Sequence, residues 1–202
     1  MKKYLVNEIF YSLQGEGMRA GTANVFVRFA GCNLQCQMAP GPLSPGGWDC
    51  DTQFSGGLQY TAEELELEMK RVGGLCRCVI LTGGEPLLQV DEELLSCLRK
   101  DWYIAVETNG TQPIPSGIDW VTCSPKVAEH AVQVVQADEL KYVLHAGQAL
   151  PHPQCKATHL LVSPPFTPDG VDYASLQWCM RIVESHPQWR LSMQLHKLWG
   201  AR

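Results

Sequence analysis

Cys78-Val79-Ile80-Leu81-Thr82, running straight into Gly83-Gly84-Glu85-Pro86, is the stretch on which the fold turns. Five uncharged residues rich in aliphatic side chains read as an apolar strand, and the glycine pair with its carboxylate and proline closes it in a polar loop. On the N-terminal side, Asn24-Val-Phe-Val-Arg-Phe29 has the same strand character, and Gly31 to Gly57 is a glycine- and proline-rich loop. Between them, Thr61-Ala-Glu-Glu64 carries a capping-box pattern that opens a helix running to about Val72. On the C-terminal side, Asp91 to Arg99 is helical and Trp102–Glu107 returns as a strand. Further strands are expected at Trp120–Cys123, Glu139–Val143 and His159–Val162, then a helix over Asp172–Ser185 and a last strand around Trp189–Gln194.

Apolar strands separated by helices imply a parallel sheet covered on its outer face. A closed eight-fold barrel normally takes about 250 residues. This chain has 202, with little helix between its middle strands. The expected fold is therefore α/β: a shortened, partly open (β/α) barrel of roughly six parallel strands with few helices. It occupies residues 1–202 as a single domain, with a loop over 31–57 and no repeat or linker. In such folds the chemistry sits where strands end. Polar motifs recur there: Gly31-Cys32, Thr82-Gly-Gly-Glu-Pro, Glu107-Thr-Asn-Gly and Ser124-Pro-Lys126.

The net charge of −5, with no basic run, disfavours a phosphate-neutralising partner, so no nucleic acid is expected. No membrane span is visible, and Asn7 and Glu8 interrupt any apolar leader, so a cytoplasmic location is expected. Nine cysteines, an odd number, argue against a disulfide framework in a reducing compartment. Cys76, Cys78, Cys97, Cys123, Cys155 and Cys179 lie in apolar stretches and read as core residues. Cys32, Cys36 and Cys50 lie instead on the long loop, where three thiolates suit an iron–sulfur cluster with one iron left open. A structural zinc would want a fourth ligand, and none is close in sequence.

The first strand, the Cys32-Asn-Leu-Gln-Cys36 loop and Gly83-Gly84-Glu85-Pro86 together resemble the radical S-adenosylmethionine superfamily. The usual second gap between cysteines is two residues; here thirteen, Gln37 to Asp49, intervene. Within that superfamily, Asn7-Glu-Ile-Phe-Tyr-Ser-Leu-Gln-Gly-Glu-Gly17, Phe29-Ala-Gly-Cys-Asn33, Cys50-Asp-Thr-Gln-Phe54, Glu107-Thr-Asn-Gly-Thr111, Ser124-Pro-Lys126 and His196-Lys-Leu-Trp-Gly200 resemble the 7-carboxy-7-deazaguanine synthase family. The resemblance runs from Asn7 to the C-terminus. It implies a lyase of queuosine biosynthesis that contracts 6-carboxy-5,6,7,8-tetrahydropterin to 7-carboxy-7-deazaguanine with loss of ammonia. It also implies a [4Fe-4S] cluster, S-adenosyl-L-methionine and Mg2+ as cofactors, a flavodoxin or ferredoxin as reductant, and a homodimer.

Residue by residue, the resemblance assigns Cys32, Cys36 and Cys50 to the cluster and Thr52 to magnesium. Leu13, Gln14, Gly15 and Glu16 fall on the pterin-holding segment, and Arg28 on the residue that pairs with the substrate carboxylate. Thr82 and His196 match further substrate contacts, and the terminal carboxylate of Arg202 stands where the family's C-terminus reaches the pterin. Gly84, Ser124-Pro125-Lys126 and Ser163-Pro164-Pro165-Phe166 match segments that hold S-adenosylmethionine, and Asp51, also expected at a cofactor, is the alternative to Thr52 at the magnesium. Asp49 stands where an aromatic residue often precedes the last cysteine, so either Asp49 or Trp48 is expected at the adenine. Glu107, a carboxylate ending an apolar strand, is expected in the active site because such a charge is costly unless paired. Two rival readings remain at this level, a glycyl-radical-enzyme activating protein and a non-catalytic metal-binding module.

Overall fold

The computed structural model describes residues 2–34, 36, 55–167 and 169–201. In chain order the elements are β1 (Tyr4–Leu13), β2 (Ala23–Phe29), β3 (Leu58–Tyr60), α1 (Ala62–Gly73), β4 (Cys78–Gly83), α2 (Glu92–Leu98), β5 (Tyr103–Thr108), β6 (Trp120–Cys123), β7 (Gln136–Val143), β8 (Lys156–Ser163), the short hairpin β9 (Phe166–Thr167) and β10 (Gly170–Val171), α3 (Tyr173–Ser185), β11 (Trp189–Leu191) and α4 (Leu195–Trp199).

Among the described residues, nine strands form one sheet in the order β11-β8-β7-β6-β5-β4-β2-β1-β3. From β2 to β11 every neighbouring pair is parallel, and β1 and β3 close one edge antiparallel. The parallel strands number seven where about six were expected. The crossovers from β5 to β6, β6 to β7 and β7 to β8 hold no α-helix, as the helix-poor middle of the chain implied.

Local sequence explains the helices. Thr61 caps α1 through the N–H of Glu64, and the Glu64 carboxylate accepts from the N–H of Thr61, a complete capping box. Asp91 and Asp172 cap α2 and α3 in the same way through their carboxylates. The main core lies between these helices and one face of the sheet: Val25, Val27, Phe29, Val79, Leu81, Ile104 and Val106 meet Leu65 and Met69 of α1 and Leu94, Leu95 and Leu98 of α2.

The opposite face is built differently. Low on it, Phe10, Phe26, Ile80 and Ala105 form a small apolar cluster with Trp120 beside it. Phe10 and Phe26 stack with ring centroids 4.9 Å apart. Two residues further along these strands, toward the ends where the polar motifs begin, the same face carries Arg28, Thr82, Glu107 and Thr122, with Glu139 in register beside Thr122.

Three expectations need correction. β1 was not foreseen as a strand, yet it is the longest in the sheet; a bulge between Val6 and Glu8 breaks its alternation. The last strand stops at Leu191 instead of running to Gln194, because α4 begins at Leu195. Cys123, Cys155 and Cys179 are buried as expected of core residues, but Cys76, Cys78 and Cys97 are only half-buried. Burial pushes the Cys179 thiol up to about 11.

Candidate active site

Two groups of residues converge where the parallel strands end. The first surrounds the cysteine loop. β2 delivers Gly31 and Cys32, and β4 delivers Gly83-Gly84-Glu85 alongside: the N–H of Gly84 donates to the Phe29 carbonyl (3.2 Å) and that of Glu85 to the Gly31 carbonyl (3.0 Å). A Cβ on Gly84 would stand 2.0 Å from the Gly31 oxygen and 2.9 Å from the Cβ of Cys32, so this approach admits only glycine. Glu85 is fully buried and accepts from the Thr108 hydroxyl (2.8 Å) and from the N–H groups of Asn109 (2.7 Å) and Leu87 (3.1 Å). Burial raises its pKa above the usual carboxylate range against the pull of these donors. The turn after β5 is thereby tied to the loop after β4. From that turn the Asn109 side-chain amide donates to Asn33 Oδ1 (3.1 Å) and to the Cys32 sulfur (3.8 Å).

Cys36, like Cys32, is half-buried. Cys50, Trp48, Asp49, Asp51 and Thr52 lie outside the described residues, and so does Arg202. Among the described residues no set of three His, Cys, Asp or Glu side chains is grouped to hold a metal ion. The donor chemistry on the loop nevertheless fits an iron–sulfur cluster: two cysteine sulfurs, one already accepting an amide N–H, beside Gly31, where a Cβ would meet nothing within 4 Å. Ser124 and Lys126, after β6, contact each other at 3.2 Å. Ser163, the buried last residue of β8, leads through Pro164-Pro165 to Phe166, whose ring lies 5.4 Å from the Lys197 ammonium.

The second group lies on the sheet face away from α1–α3. The Arg28 guanidinium pairs through Nε with Glu8 (3.1 Å) and lies 5.8 Å from the centre of the Phe10 ring. Glu107 is held at both oxygens, by the Gln14 amide (2.8 Å) and the Thr82 hydroxyl (3.0 Å). The segment after β1 crosses this face. Gln14 and Gly15 are buried there, while Leu13, the end of β1, is exposed. Glu16 pairs with Lys141 of β7 and accepts from the Gln194 amide at 2.9 Å. Burial alone would push the Glu16 carboxyl up, but the Lys141 charge and the hydrogen bonds of Lys141 and Gln194 outweigh it, leaving it below the usual range. Burial opposes charge on Lys141 as well, yet Glu16 and Glu107 hold its ammonium above its ordinary value. His196, on α4, joins the group because the Leu195 N–H donates to the Gly15 carbonyl at 2.8 Å. Its burial lowers the imidazole against the nearby Glu16 charge, which favours the neutral ring.

Of the residues expected at the pterin, Gln14 and Thr82 are bonded to Glu107, the residue expected in the active site; the Glu16 N–H donates to Gln14 Oε1, Gly15 accepts from Leu195 next to His196, and Arg28 stands beside Thr82 in register. Sequence reasoning missed Lys141, Gln194, Glu139 and Ser192. Glu139 and Lys141 lie in a stretch recognised as a strand, and two charges alternating on it were the available sign of an inward polar face.

Comparison with known proteins places the chain at the level of family and fold. Residues 26–135 match the Radical SAM superfamily. The 7-carboxy-7-deazaguanine synthase of Bacteroides thetaiotaomicron is 40% identical and that of Caulobacter vibrioides 41%, each over 98% of both chains. The crystal structure of QueE from Escherichia coli superposes with a TM-score of 0.70 at 24% identity, covering 96% of this chain and 95% of that one, which shows a shared fold. The chain belongs to the radical SAM superfamily and, within it, to the family of the 7-carboxy-7-deazaguanine synthases.

Proposed function

We propose that this protein is a 7-carboxy-7-deazaguanine synthase, the lyase that contracts the ring of 6-carboxy-5,6,7,8-tetrahydropterin and releases ammonia on the way to queuosine. The observation that carries this reading is one connected set, Gln14–Glu107–Thr82 with Glu16–Lys141, Gln194 and α4, gathered on the sheet face at the end where Cys32 lies. Such a set offers several fixed polar groups to a small flat heterocycle.

The sheet is read as a shortened, partly open barrel. In its support, four strands separate β1 from β7 in the sheet order, yet the segment after β1 bonds directly to β7. All 202 residues act in this reading as one domain.

Cys32, Cys36 and Cys50 would hold the [4Fe-4S] cluster, Gly84, Ser124-Pro125-Lys126 and Ser163–Phe166 the S-adenosylmethionine, either Trp48 or Asp49 its adenine, and Asp51 is the alternative to Thr52 at the magnesium. When bound, these groups supply the radical that takes and returns a hydrogen at C6 of the pterin. The chain's own residues bind and orient. Arg28, whose Nε is engaged by Glu8, has its terminal nitrogens for the substrate carboxylate. Glu107, preset by Gln14 and Thr82, accepts from the ring N–H edge, and Glu16, kept ionised by Lys141, does the same from the other side. Neutral His196 and the Arg202 terminus close the pocket, and Thr52 takes Mg2+ against the carboxylate. A flavodoxin or ferredoxin as reductant, a homodimer and a cytoplasmic setting complete the proposal. Among the described residues no helix is long and apolar enough to cross a membrane.

Anaerobic turnover of reconstituted protein tests this, with dithionite, S-adenosylmethionine, magnesium and 6-carboxytetrahydropterin, products being read by mass spectrometry. Formation of 7-carboxy-7-deazaguanine that vanishes in Cys32→Ala, Cys36→Ala and Cys50→Ala is expected. Formation of 5′-deoxyadenosine alone would defeat the substrate assignment.

A further inference from the structure

Glu139 lies outside every role assigned above, although it is among the most buried charged groups of the chain, at 2% exposure. Its two oxygens have different partners. Oε1 accepts from the Thr122 hydroxyl of β6 (2.8 Å), which fixes the carboxylate on the sheet, and Oε2 accepts from the backbone N–H of Met18 (2.8 Å), 121 residues away. The next residue back, Gly17, has φ +67°, and a Cβ on it would stand 2.3 Å from Oε1. Its N–H donates to the Ser192 hydroxyl at 3.0 Å. The stretch from Gln14 to Met18 is thus fastened at its far end to β7 and to the residue after β11.

We infer that Glu139 is a positioning residue, a latch that holds the Gln14–Met18 segment across the sheet so that Gln14 and Glu16 present their side chains to the pterin. The inference rests on the proposed function for its consequence and on the geometry alone for the latch. A carboxylate is well suited because the part-buried Met18 N–H would otherwise lose its acceptor, and because a flat acceptor fits against Gly17. Gln14 and Glu16 lie two to four residues from the latch point, so its loss loosens both at once.

Two variants and two readouts decide it. Glu139→Ala removes the acceptor; Glu139→Gln keeps one for Met18 and turns an amide donor toward Thr122. In Glu139→Ala the 14–18 amides are expected to exchange hydrogen faster. The KM for the pterin is expected to rise about tenfold, the equivalent of one lost buried hydrogen bond, while S-adenosylmethionine affinity stays unchanged. More 5′-deoxyadenosine should form per product. Glu139→Gln should restore both exchange and KM. Unchanged exchange and KM in Glu139→Ala overturn the latch. Equal impairment of the two variants also overturns it, since charge and not acceptance would then matter. Should Glu139→Ala fail to fold, Gly17→Ala tests the same contact from the other side, with the same KM rise expected and an unchanged KM refuting it. Failure of the wild-type protein to convert the pterin defeats the functional reading instead, and hydrogen exchange still decides the latch.

Discussion

The side-chain amide of Asn109 points its N–H at the sulfur of Cys32 across 3.8 Å, and the same residue's backbone N–H is fixed by the buried carboxylate of Glu85. The donor is therefore held from behind by the glycine-rich loop of β4. N–H bonds to a ligating sulfur disperse its charge and favour the reduced cluster. Replacing Asn109 with alanine should move the cluster midpoint potential to more negative values. A hydrogen bond worth about 1 kcal/mol corresponds to roughly 40 mV for one electron. Redox titration followed by electron paramagnetic resonance reads this, and an unmoved potential would mean that the amide does not reach the loaded cluster.

Gly84→Ala should be far more damaging than its single methyl suggests. That methyl would stand 2.0 Å from the Gly31 oxygen, against backbone that cannot swing away as a side chain can. Separating the two loops costs about 1–3 kcal/mol by the measure of overpacked cores. A lowered Tm and substoichiometric iron after reconstitution are the expected pair of observations. Full iron loading with a wild-type Tm would show that the two loops can part freely.

The parallel strands were legible because burial on the main-core face demands it in sequence: Cys78–Thr82 and Trp102–Glu107 carry no charge before their last residues. β1 was not legible, and the bulge at Asn7 explains why. Val6 and Phe10 lie four residues apart and would share a face in a regular strand. The register shift between Val6 and Glu8 instead sends Val6 into the main core and Phe10 into the cluster on the other face. The residues nearest Cys32 announced themselves through local motifs at strand ends. Glu139, Lys141 and Ser192 did not, because their partners are Met18, Glu16 and Gly17, more than 120 residues away, and only the closed sheet brings them together.

Thr61 offers a clean check on the part that local sequence does dictate. Its hydroxyl accepts from Glu64 and the Glu64 carboxylate accepts from its N–H, at the start of the helix that packs on the main-core face of the sheet. Thr61→Ala should cost about 1 kcal/mol of stability, seen in denaturant unfolding, with turnover unchanged. A fall in turnover at unchanged stability would contradict the placement of α1 outside the site.

Glu16 and Lys141 should govern how stability and turnover depend on pH. The Glu16 carboxyl is depressed in the folded protein, so its contribution is present above its unfolded pKa of about 4.3 and is lost as pH falls through the lower folded value. Lys141 is raised, so its contribution is intact below about 10.4 and is lost only as pH climbs through the folded value. Across the neutral range both are charged and the pair is complete. Lys141→Met breaks it from one side and leaves a largely buried carboxylate with the Gln194 amide and the nearby His196 but no ammonium, at a cost of up to roughly 3 kcal/mol. Glu16 then has reason to take up a proton, so the acid limb of the stability profile should move to higher pH, and with it the acid limb of kcat/KM. Adding Glu16→Gln to Lys141→Met should recover much of the stability without the activity, because an amide tolerates burial where a lone carboxylate does not. Urea unfolding and turnover measured across pH 4 to 9 separate the two effects. If Lys141→Met shifts neither limb, Glu16 is not held ionised by Lys141, and the assignment of Glu16 as a preset acceptor for the pterin falls with it.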